Sequence, residues 1–296
     1  MNDDKERIVR ALRANDPGAK LSERCLRSAL ADLVSQPRGL SRASLVLAGA
    51  SRMGMEPTTA EKIACAIEYW HQASLVFDDL PCMDDSLQRR GRSSLHVVHG
   101  EAVAILSALG LVNRAYALVD DAYQTESQDT RASARELIEA ALGARGILEG
   151  QALDLRPGPG ANAPREVLRT AWRKTGFLIW LSLCLPLVPS GAWKRSRRDL
   201  RAIGIYWSLV YQGLDDLADA SHDQKSSLGP TRADPIHRPN LAISLGAERA
   251  LERIERLLRA AQITLERMSE RDPRFSYLMD WHHRHLVARY SELVAA

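Results

Sequence analysis

The chain has 296 residues, of which 45% are hydrophobic and 26% are charged, and its formal net charge at pH 7 is +3. This composition provides for a sizeable core and excludes a chain that is disordered throughout. The positive charge is small and dispersed, so it does not indicate a nucleic-acid-binding protein.

Helical periodicity dominates the chain, and strand signals are nearly absent. In chain order, the pattern predicts helices from about Ile8 and over residues 21–33, 40–49, 58–77, 100–123, 132–155, 166–186, 199–220, 247–268 and 275–294. Loops rich in proline and glycine separate them, and the loop at 222–240 is too long for a plain connector. Nothing marks a domain boundary, so we expect one all-α domain over residues 1–296, with residues 1–18 flexible.

Several weaker signals have simple interpretations. No uninterrupted apolar run reaches the ~18 residues of a membrane span, and the polar start is not a signal peptide. The four scattered cysteines indicate reduced thiols in a cytoplasmic protein. The histidines of "WHHRH" (281–285) lack helical zinc spacing and predict a solvated terminal helix. Arginines alternate with glutamates over residues 248–259, which predicts an exposed, salt-bridged helix face.

Four aspartates follow the apolar helix predicted at 58–77; they are Asp78, Asp79, Asp84 and Asp85. Pro81 lacks an amide hydrogen and clashes with the preceding turn, so this helix must kink or stop there. The carboxylates therefore lie at the helix C-terminus, where the helix dipole disfavours anions. A bound cation would offset that cost.

A second acidic cluster lies in "YQGLDDLAD" (211–219), where Asp215 and Asp219 share a helix face and Asp216 lies about 100° round. One such cluster alone is more simply read as a solvated acidic face, as for Asp120 and Asp121. Two clusters, each behind an apolar helix, favour a metal site. Oxygen ligands from aspartate suit Mg²⁺, which keeps positions for water and phosphate oxygens.

Arg89 and Arg90 follow the first cluster. Guanidinium groups bind phosphate through two parallel hydrogen bonds. Aspartates, arginines and an apolar helix interior together predict a ligand with a diphosphate head and an apolar body.

These motifs resemble those of the trans-isoprenyl diphosphate synthases, also called polyprenyl synthetases. The first aspartate-rich motif is "DDLPCMD" (78–84), followed by "RRG" (89–91), and the second is "YQGLDDLAD". Between them lie "HGE" (99–101), "GQALDL" (150–155) and "KTG" (174–176), in the family's order. The resemblance covers roughly residues 35–245 and is greatest to bacterial short-chain geranylgeranyl and farnesyl diphosphate synthases.

The resemblance implies an isoprenoid-synthase-type helical bundle around a deep central cavity, as a homodimer. It implies Mg²⁺-dependent condensation of isopentenyl diphosphate with an allylic diphosphate, with three Mg²⁺ bound. The implied metal ligands are Asp78, Asp79, Asp84, Asp215, Asp216 and Asp219. All of these except Asp219 are also expected to be catalytic, together with Lys174. The implied allylic diphosphate site comprises Arg89, Lys174, Thr175 and Gln212. The implied isopentenyl diphosphate site comprises Arg38, Arg42, Arg90 and His96.

The isopentenyl site departs from the family pattern. Gly39 and Leu40 stand where the family carries Lys and Arg, and Pro230 replaces a lysine after the second motif. The expected site is thus less cationic than usual, while both aspartate motifs are complete. Two alternatives therefore remain: a terpene cyclase or unusual coupling enzyme that uses an allylic diphosphate, and a non-catalytic regulatory subunit of a synthase.

Product length is expected to depend on the helix that carries Asp78. Ala73 and Ser74, five and four residues earlier, are small where an aromatic residue resembles a plug that stops growth at fifteen carbons. Together with the Pro81–Cys82 insertion, this resembles synthases of the twenty-carbon geranylgeranyl diphosphate, and farnesyl diphosphate is the next choice. Trp70, a turn further up the helix, is the candidate for the next residue that limits product length; otherwise it packs into the core or a dimer interface.

Overall fold

The structure, a computed structural model, describes residues 2–35, 39–89, 91–161, 163–223 and 240–295. It comprises two compact units, residues 1–131 and 132–296. The expectations of a single domain and of a deep central cavity stay predictions. The all-α class is confirmed, since in the described part of the chain the only strands form one short hairpin.

The first unit is built on a long central helix. Its helices are α1 (Asn2–Ala14), α2 (Arg24–Ser35), α3 (Ser41–Arg52), α4 (Pro57–Asp79), α5 (Leu95–His99) and α6 (Glu101–Ala122). Strands β1 (Gln88–Arg89) and β2 (Arg92–Ser93) form the antiparallel hairpin. α4 starts with Pro57 at its first turn and with the Glu56 side chain accepting from the Thr59 amide. It packs against α3 and α6, and this packing positions the first aspartate motif at its end.

The N-terminal segment contains a helix, while its expected flexibility stays a prediction. Residues 2–14 form α1, whose Ile8 and Leu12 side chains are buried. The Tyr69 hydroxyl of α4 donates to the Leu12 carbonyl at 2.8 Å. The four-residue spacing of Ile8 and Leu12 puts both on one helix face, which explains why this polar segment has an apolar anchor.

The second unit contains the remaining helices, beginning within α7 (Gln128–Leu142). The others are α8 (Glu149–Leu155), α9 (Pro164–Ala171), α10 (Phe177–Cys184), α11 (Ala192–Arg195), α12 (Arg197–Asp223), α13 (Leu241–Leu245), α14 (Ala247–Arg271), α15 (Tyr277–His282) and α16 (Ala288–Ala295). α12, which carries the second aspartate motif, packs against α10 and α14.

Three helices predicted as continuous, at 132–155, 166–186 and 275–294, are interrupted in the structure, the last by a π-type turn at His283–Val287. A π-type turn at Ala144–Leu148, with Gly146 outside helical geometry, separates α7 from α8. A second π-type turn at Trp172–Gly176 separates α9 from α10 and contains Lys174 and Thr175. Such turns are frequent at functional sites, and this one belongs to the "KTG" motif.

The segment at 281–285 is a further difference. Trp281 and His282 are buried, and the Trp281 ring stacks on Trp207 with centroids 4.3 Å apart. The expectation of a solvated helix was wrong for these two residues, because the period of α15 turns them toward α12.

One described helix, α6, is long and apolar enough to cross a membrane by length and composition. Polar residues such as Asn113 and Arg114 interrupt it, which is why a search for uninterrupted apolar runs does not find it. Of its most apolar window, 39% is buried within the chain. Core helices of water-soluble proteins pass the same criteria, so the helix is weak evidence for a membrane span.

Candidate active site

The chain reverses direction directly after α4 and folds the first aspartate motif onto the helix end. The Asp84 amide donates to the Asp78 carbonyl at 2.9 Å, and the Ser86 amide donates to the Asp79 carbonyl at 3.2 Å. These bonds satisfy terminal carbonyl groups that the helix leaves open. The reversal also brings Asp84 back to Asp78, so the three predicted ligands of this motif share one helix end.

Arg89 on β1 forms an ion pair with Asp79. Its Nε and Nη2 atoms lie 2.7 Å and 2.6 Å from Asp79 Oδ1. Burial alone would lower the pKa of Arg89, but the hydrogen bond to Asp79 and the negative charges of Asp79, Asp78 and Asp84 raise it. The guanidinium is therefore permanently charged beside a buried carboxylate.

A cavity of about 510 Å³ in the first unit opens beside this pair. Leu33, Leu75, Val76 and Val98 form apolar parts of its wall, while Asp79 and Arg89 also line it. An apolar wall next to a paired carboxylate and guanidinium is the combination that the sequence predicts for a diphosphate with an apolar body.

The residues predicted to set product length lie on other faces of α4. The face toward the cavity carries Glu68, Gln72 and Val76, whereas Trp70, Ala73 and Ser74 do not line it. Ala73 is 1% exposed, and the Trp70 ring meets Tyr116 edge-on at 5.2 Å. The Ser74 hydroxyl donates to the His71 carbonyl at 2.8 Å. Their role in product length stays a prediction.

The second motif on α12 is organised around Asp216, which is 4% exposed. The Gln212 side-chain amide donates to Asp216 Oδ1 at 2.8 Å, and the Leu241 backbone amide donates to Oδ2 at 2.7 Å. The Thr175 hydroxyl donates to Gln212 Oε1 at 3.4 Å. The structure thus joins Thr175, Gln212 and Asp216, which the sequence analysis assigns to adjoining sites.

Asp215 has a partner that the sequence analysis missed. Its Oδ1 atom pairs with Arg289 Nη2, and the Arg289 guanidinium lies over the Tyr211 ring at 5.1 Å. Arg289 belongs to α16, 74 residues from Asp215, and carries no motif that would have found it. Asp219 lies one turn beyond Asp215 on α12, and its side chain is outside the described part.

Lys174 is held by a second residue that the sequence analysis did not single out. Its Nζ atom lies 2.5 Å from Asp154 Oδ2, and Asp154 is buried. Gly150 permits this pairing, since a Cβ atom there would clash with the backbone of Arg173 and Lys174. The signal was present in the sequence, because Gly150 and Asp154 are both in "GQALDL".

On the isopentenyl side, Arg42 Nη1 lies 3.3 Å from His71 Nε2. His96 is 9% exposed, and its Nδ1 atom has no hydrogen-bond partner in the described part of the chain. A buried ring nitrogen without a partner can accept or donate to a ligand. The described residues do not include Arg38 and Arg90, which are predicted for this site, or Pro230, which replaces a lysine of the family pattern.

Gly39 and Leu40 have a structural role at the start of α3. Their φ angles are 88° and 45°, and Leu40 is 5% exposed. Positive φ favours glycine and disfavours a branched side chain. Lysine at position 39 would therefore adopt a strained backbone, and arginine at position 40 would be both strained and buried.

The aspartates fit Mg²⁺ bound together with a diphosphate. Among the described residues, no group of three or more His, Cys, Asp or Glu side chains is arranged to hold a metal ion by itself. Mg²⁺ usually binds through one or two carboxylates and completes its octahedron with water and phosphate oxygens. Each aspartate motif contains enough aspartates to supply these one or two carboxylates.

Comparison with known proteins places these features in one family. Residues 23–239 match the polyprenyl synthetase family. A geranylgeranyl diphosphate synthase of Pseudescherichia vulneris is 33% identical over 201 residues, which cover 68% of this chain and 64% of that protein. A farnesyl diphosphate synthase of Escherichia coli (strain K12) is 33% identical over 236 residues, covering 77% and 78%. The chain thus spans less than two thirds of the length of the geranylgeranyl diphosphate synthase.

Solved structures share the fold along nearly the whole chain. A geranyltransferase from Helicobacter pylori 26695 matches with a TM-score of 0.82 and 25% identity, covering 99% of this chain and 97% of that one. A geranyltransferase from Helicobacter pylori complexed with magnesium and isoprenyl diphosphate matches with a TM-score of 0.81 and 25% identity, covering 97% and 96%. The chain belongs to the polyprenyl synthetase family.

Proposed function

We propose that this protein is a Mg²⁺-dependent prenyltransferase that condenses isopentenyl diphosphate with an allylic diphosphate to a short-chain trans-prenyl diphosphate. The observation that carries this proposal is the Arg89–Asp79 pair at an apolar-walled cavity. Two further aspartates, Asp78 and Asp84, lie at the same helix end. The complex of a Helicobacter pylori relative with magnesium and isoprenyl diphosphate supports the same ligand class. The free state of all four cysteines agrees with the cytoplasmic location we propose.

The metal is proposed to bind through six aspartates, with three ions when diphosphate is present. The ligands are Asp78, Asp79, Asp84, Asp215, Asp216 and Asp219. Mg²⁺ supplies positive charge to the diphosphate that leaves. Two hydrogen bonds to the buried Asp216 hold the carboxylate of this ligand in one orientation.

Cationic side chains are proposed to bind the allylic diphosphate in addition to the metal ions. Arg89 offers a bidentate guanidinium, and Lys174 offers an ammonium group held in place by Asp154. Thr175 and Gln212 are linked by a hydrogen bond and orient each other. Fixed donors of this kind stabilise developing negative charge without having to reorganise.

Isopentenyl diphosphate is proposed to bind through Arg42 and His96, assisted by Arg38 and Arg90. The contact of Arg42 with His71 and the unpartnered Nδ1 of buried His96 support a polar site there. Because Gly39 and Leu40 supply no cation, we expect weaker binding of this substrate than of the allylic one.

The proposed main product is geranylgeranyl diphosphate, with farnesyl diphosphate as the alternative. Ala73 and Ser74 leave α4 without an aromatic plug near Asp78. The Pseudescherichia vulneris and Escherichia coli relatives, with these two product names, are equally identical at 33%, so identity does not separate the products.

The chain is proposed to form a homodimer through α6. Ile105, Leu109 and Tyr116 share one face of this helix and are 38%, 51% and 46% exposed. Several exposed apolar side chains on one helix face are typical of a protein interface. Analytical ultracentrifugation tests this, since Leu109→Glu should give a monomer; a wild-type monomer refutes it.

The depleted isopentenyl site favours one second candidate, an enzyme that uses only the allylic diphosphate. A cyclase releases pyrophosphate from an allylic diphosphate alone, whereas the proposed synthase releases it rapidly only when isopentenyl diphosphate is also present. Measuring pyrophosphate release with each substrate alone and with both separates the two. A regulatory subunit releases none, and the organised aspartates argue against that role.

A further inference from the structure

The second unit contains a cavity of about 410 Å³ between α9, α13 and α14, apart from every residue assigned above to substrate or metal. Four arginines and one glutamate line it. The charged residues are Arg165, Arg249, Arg253, Arg256 and Glu252. Leu168, Leu241 and Leu245 supply an apolar part of the wall.

Positive charge exceeds negative charge among the residues that line this cavity, with four guanidinium groups against the single carboxylate of Glu252. Arg249, Arg253 and Arg256 follow one face of α14 at spacings of four and three residues, where like charges repel. Of the salt bridges expected on this helix face, the structure contains one between Arg259 and Glu255, at 2.6 Å. Within the described residues, the four guanidinium groups of the cavity form no ion pair. Arg165, Arg249 and Arg256 are exposed and Arg253 is half-buried, so water weakens their mutual repulsion, and a bound anion would reduce it further.

The shape of the cavity adds selectivity to the charge. Arg165 belongs to α9, whereas the other three arginines belong to α14, so guanidinium groups line the cavity from two helices. Several guanidinium groups around one anion suit a phosphate or diphosphate, whose oxygens accept several hydrogen bonds, better than a small monovalent anion. The leucine wall allows that anion to carry an apolar substituent.

The cavity is also connected to the second aspartate motif. Leu241 lines it with its side chain and donates its backbone amide to Asp216. α13 has five residues, so few bonds of its own fix it. A ligand against Leu241 and Leu245 would therefore hold the amide that orients Asp216.

We propose that this cavity is a second anion site, which binds a phosphate- or diphosphate-bearing ligand and stabilises the position of Asp216 through α13. The binding itself is independent of the function proposed above; only its influence on turnover rests on that function.

Calorimetry with inorganic pyrophosphate tests the binding. The protein carries Lys174→Ala and the buffer contains EDTA, so that the candidate active site contributes little. Adding Arg249→Gln and Arg253→Gln should weaken the affinity by about tenfold or more, since it removes two charge-assisted contacts. Arg259→Gln, on the same helix but outside the cavity, is the matched control. No binding, equal affinity in the double variant, or equal loss in the control overturns the proposal.

Two further measurements identify the ligand source and the coupling. Geranyl diphosphate should bind more tightly than pyrophosphate, and lose that advantage in the Arg249→Gln/Arg253→Gln variant, if the leucine wall holds an apolar tail; the two should bind this cavity equally if the inorganic anion is the ligand. Hydrogen exchange at the Leu241 amide should slow when pyrophosphate is added. Unchanged exchange despite binding would refute the coupling to Asp216, whatever the result of turnover assays.

Discussion

Arg89 Nη2 lies 2.6 Å from Asp79 Oδ1, so a proposed phosphate-binding cation and a proposed metal ligand are paired with each other. Asp79 is 5% exposed. The pair therefore connects the stability of the fold with the chemistry proposed for it, and each partner can be removed separately.

Replacing Arg89 with Gln should lower both stability and affinity for the allylic diphosphate. A buried carboxylate that loses its charged partner costs roughly 1 to 3 kcal/mol. Urea unfolding and the KM for geranyl diphosphate measure the two effects. Combining Arg89→Gln with Asp79→Ala should restore part of the stability that Arg89→Gln loses, but not the turnover. Additive stability losses in the double variant would show that the pair has no energetic coupling.

Asp78→Ala should lower kcat by orders of magnitude and raise the Mg²⁺ concentration needed for half-maximal rate, with the fold intact. Asp78 is a proposed metal ligand in the last turn of α4, and it is only half-buried, so its truncation leaves the core intact. Asp120→Ala is the matched control, since that exposed carboxylate pairs with Arg131 and belongs to neither aspartate motif. Near-normal turnover in the Asp78 variant would refute the metal assignment.

Arg42→Gln should raise the KM for isopentenyl diphosphate by more than it raises the KM for the allylic substrate. Arg52→Gln, at the other end of α3, provides the comparison. Equal changes in both KM values would contradict the assignment of Arg42. Replacing Gly39 with Lys and Leu40 with Arg is not a clean test, because their positive φ angles and the burial of Leu40 predict a loss of stability.

Ala73→Tyr should shorten the product, and Trp70→Ala should lengthen it if the Trp70 ring is a floor. The structure gives the second change a further effect, since it removes the contact of Trp70 with Tyr116 and leaves space in the core. Chromatography of the dephosphorylated alcohols measures product length. A wild-type product of fifteen carbons that Ala73→Tyr leaves unchanged would refute the role of this position.

Stability should fall as the pH decreases from about 6.5 toward 4, partly because of His282. Burial, together with the charge of His283, lowers the pKa of His282 to about 4, although a backbone hydrogen bond with Leu258 opposes this. The unfolded chain therefore binds the proton more readily, and protonation favours unfolding. Melting temperatures at pH 7 and pH 5 should differ less in His282→Gln than in the unsubstituted protein. An equal difference in both proteins would contradict this origin.

The helical class and both aspartate motifs follow from the sequence because their signals are local. Apolar periodicity predicts α4 and α12, and Pro81 predicts the end of α4 next to Asp78. The link from Thr175 through Gln212 to Asp216 was anticipated only through the family resemblance, because it joins separate segments.

Partners from distant segments were out of reach of sequence patterns. Arg289 pairs with Asp215 from the last helix, and the bond from the Leu241 amide to Asp216 depends on backbone position, which no side-chain pattern encodes. The π-type turns that divide the long predicted helices are also invisible to a 3.6-residue period. The left-handed backbone at Leu40 could not be foreseen, since leucine rarely adopts it.

The most direct test of the proposed prenyltransferase is incubation of the purified chain with isopentenyl diphosphate and geranyl diphosphate, with and without Mg²⁺, followed by chromatography of the products. The account predicts a prenyl diphosphate lengthened by five-carbon units, chiefly of twenty carbons, that forms only with Mg²⁺ and is lost in Asp78→Ala. The absence of any lengthened product at every Mg²⁺ concentration, or its undiminished formation by Asp78→Ala, would contradict it.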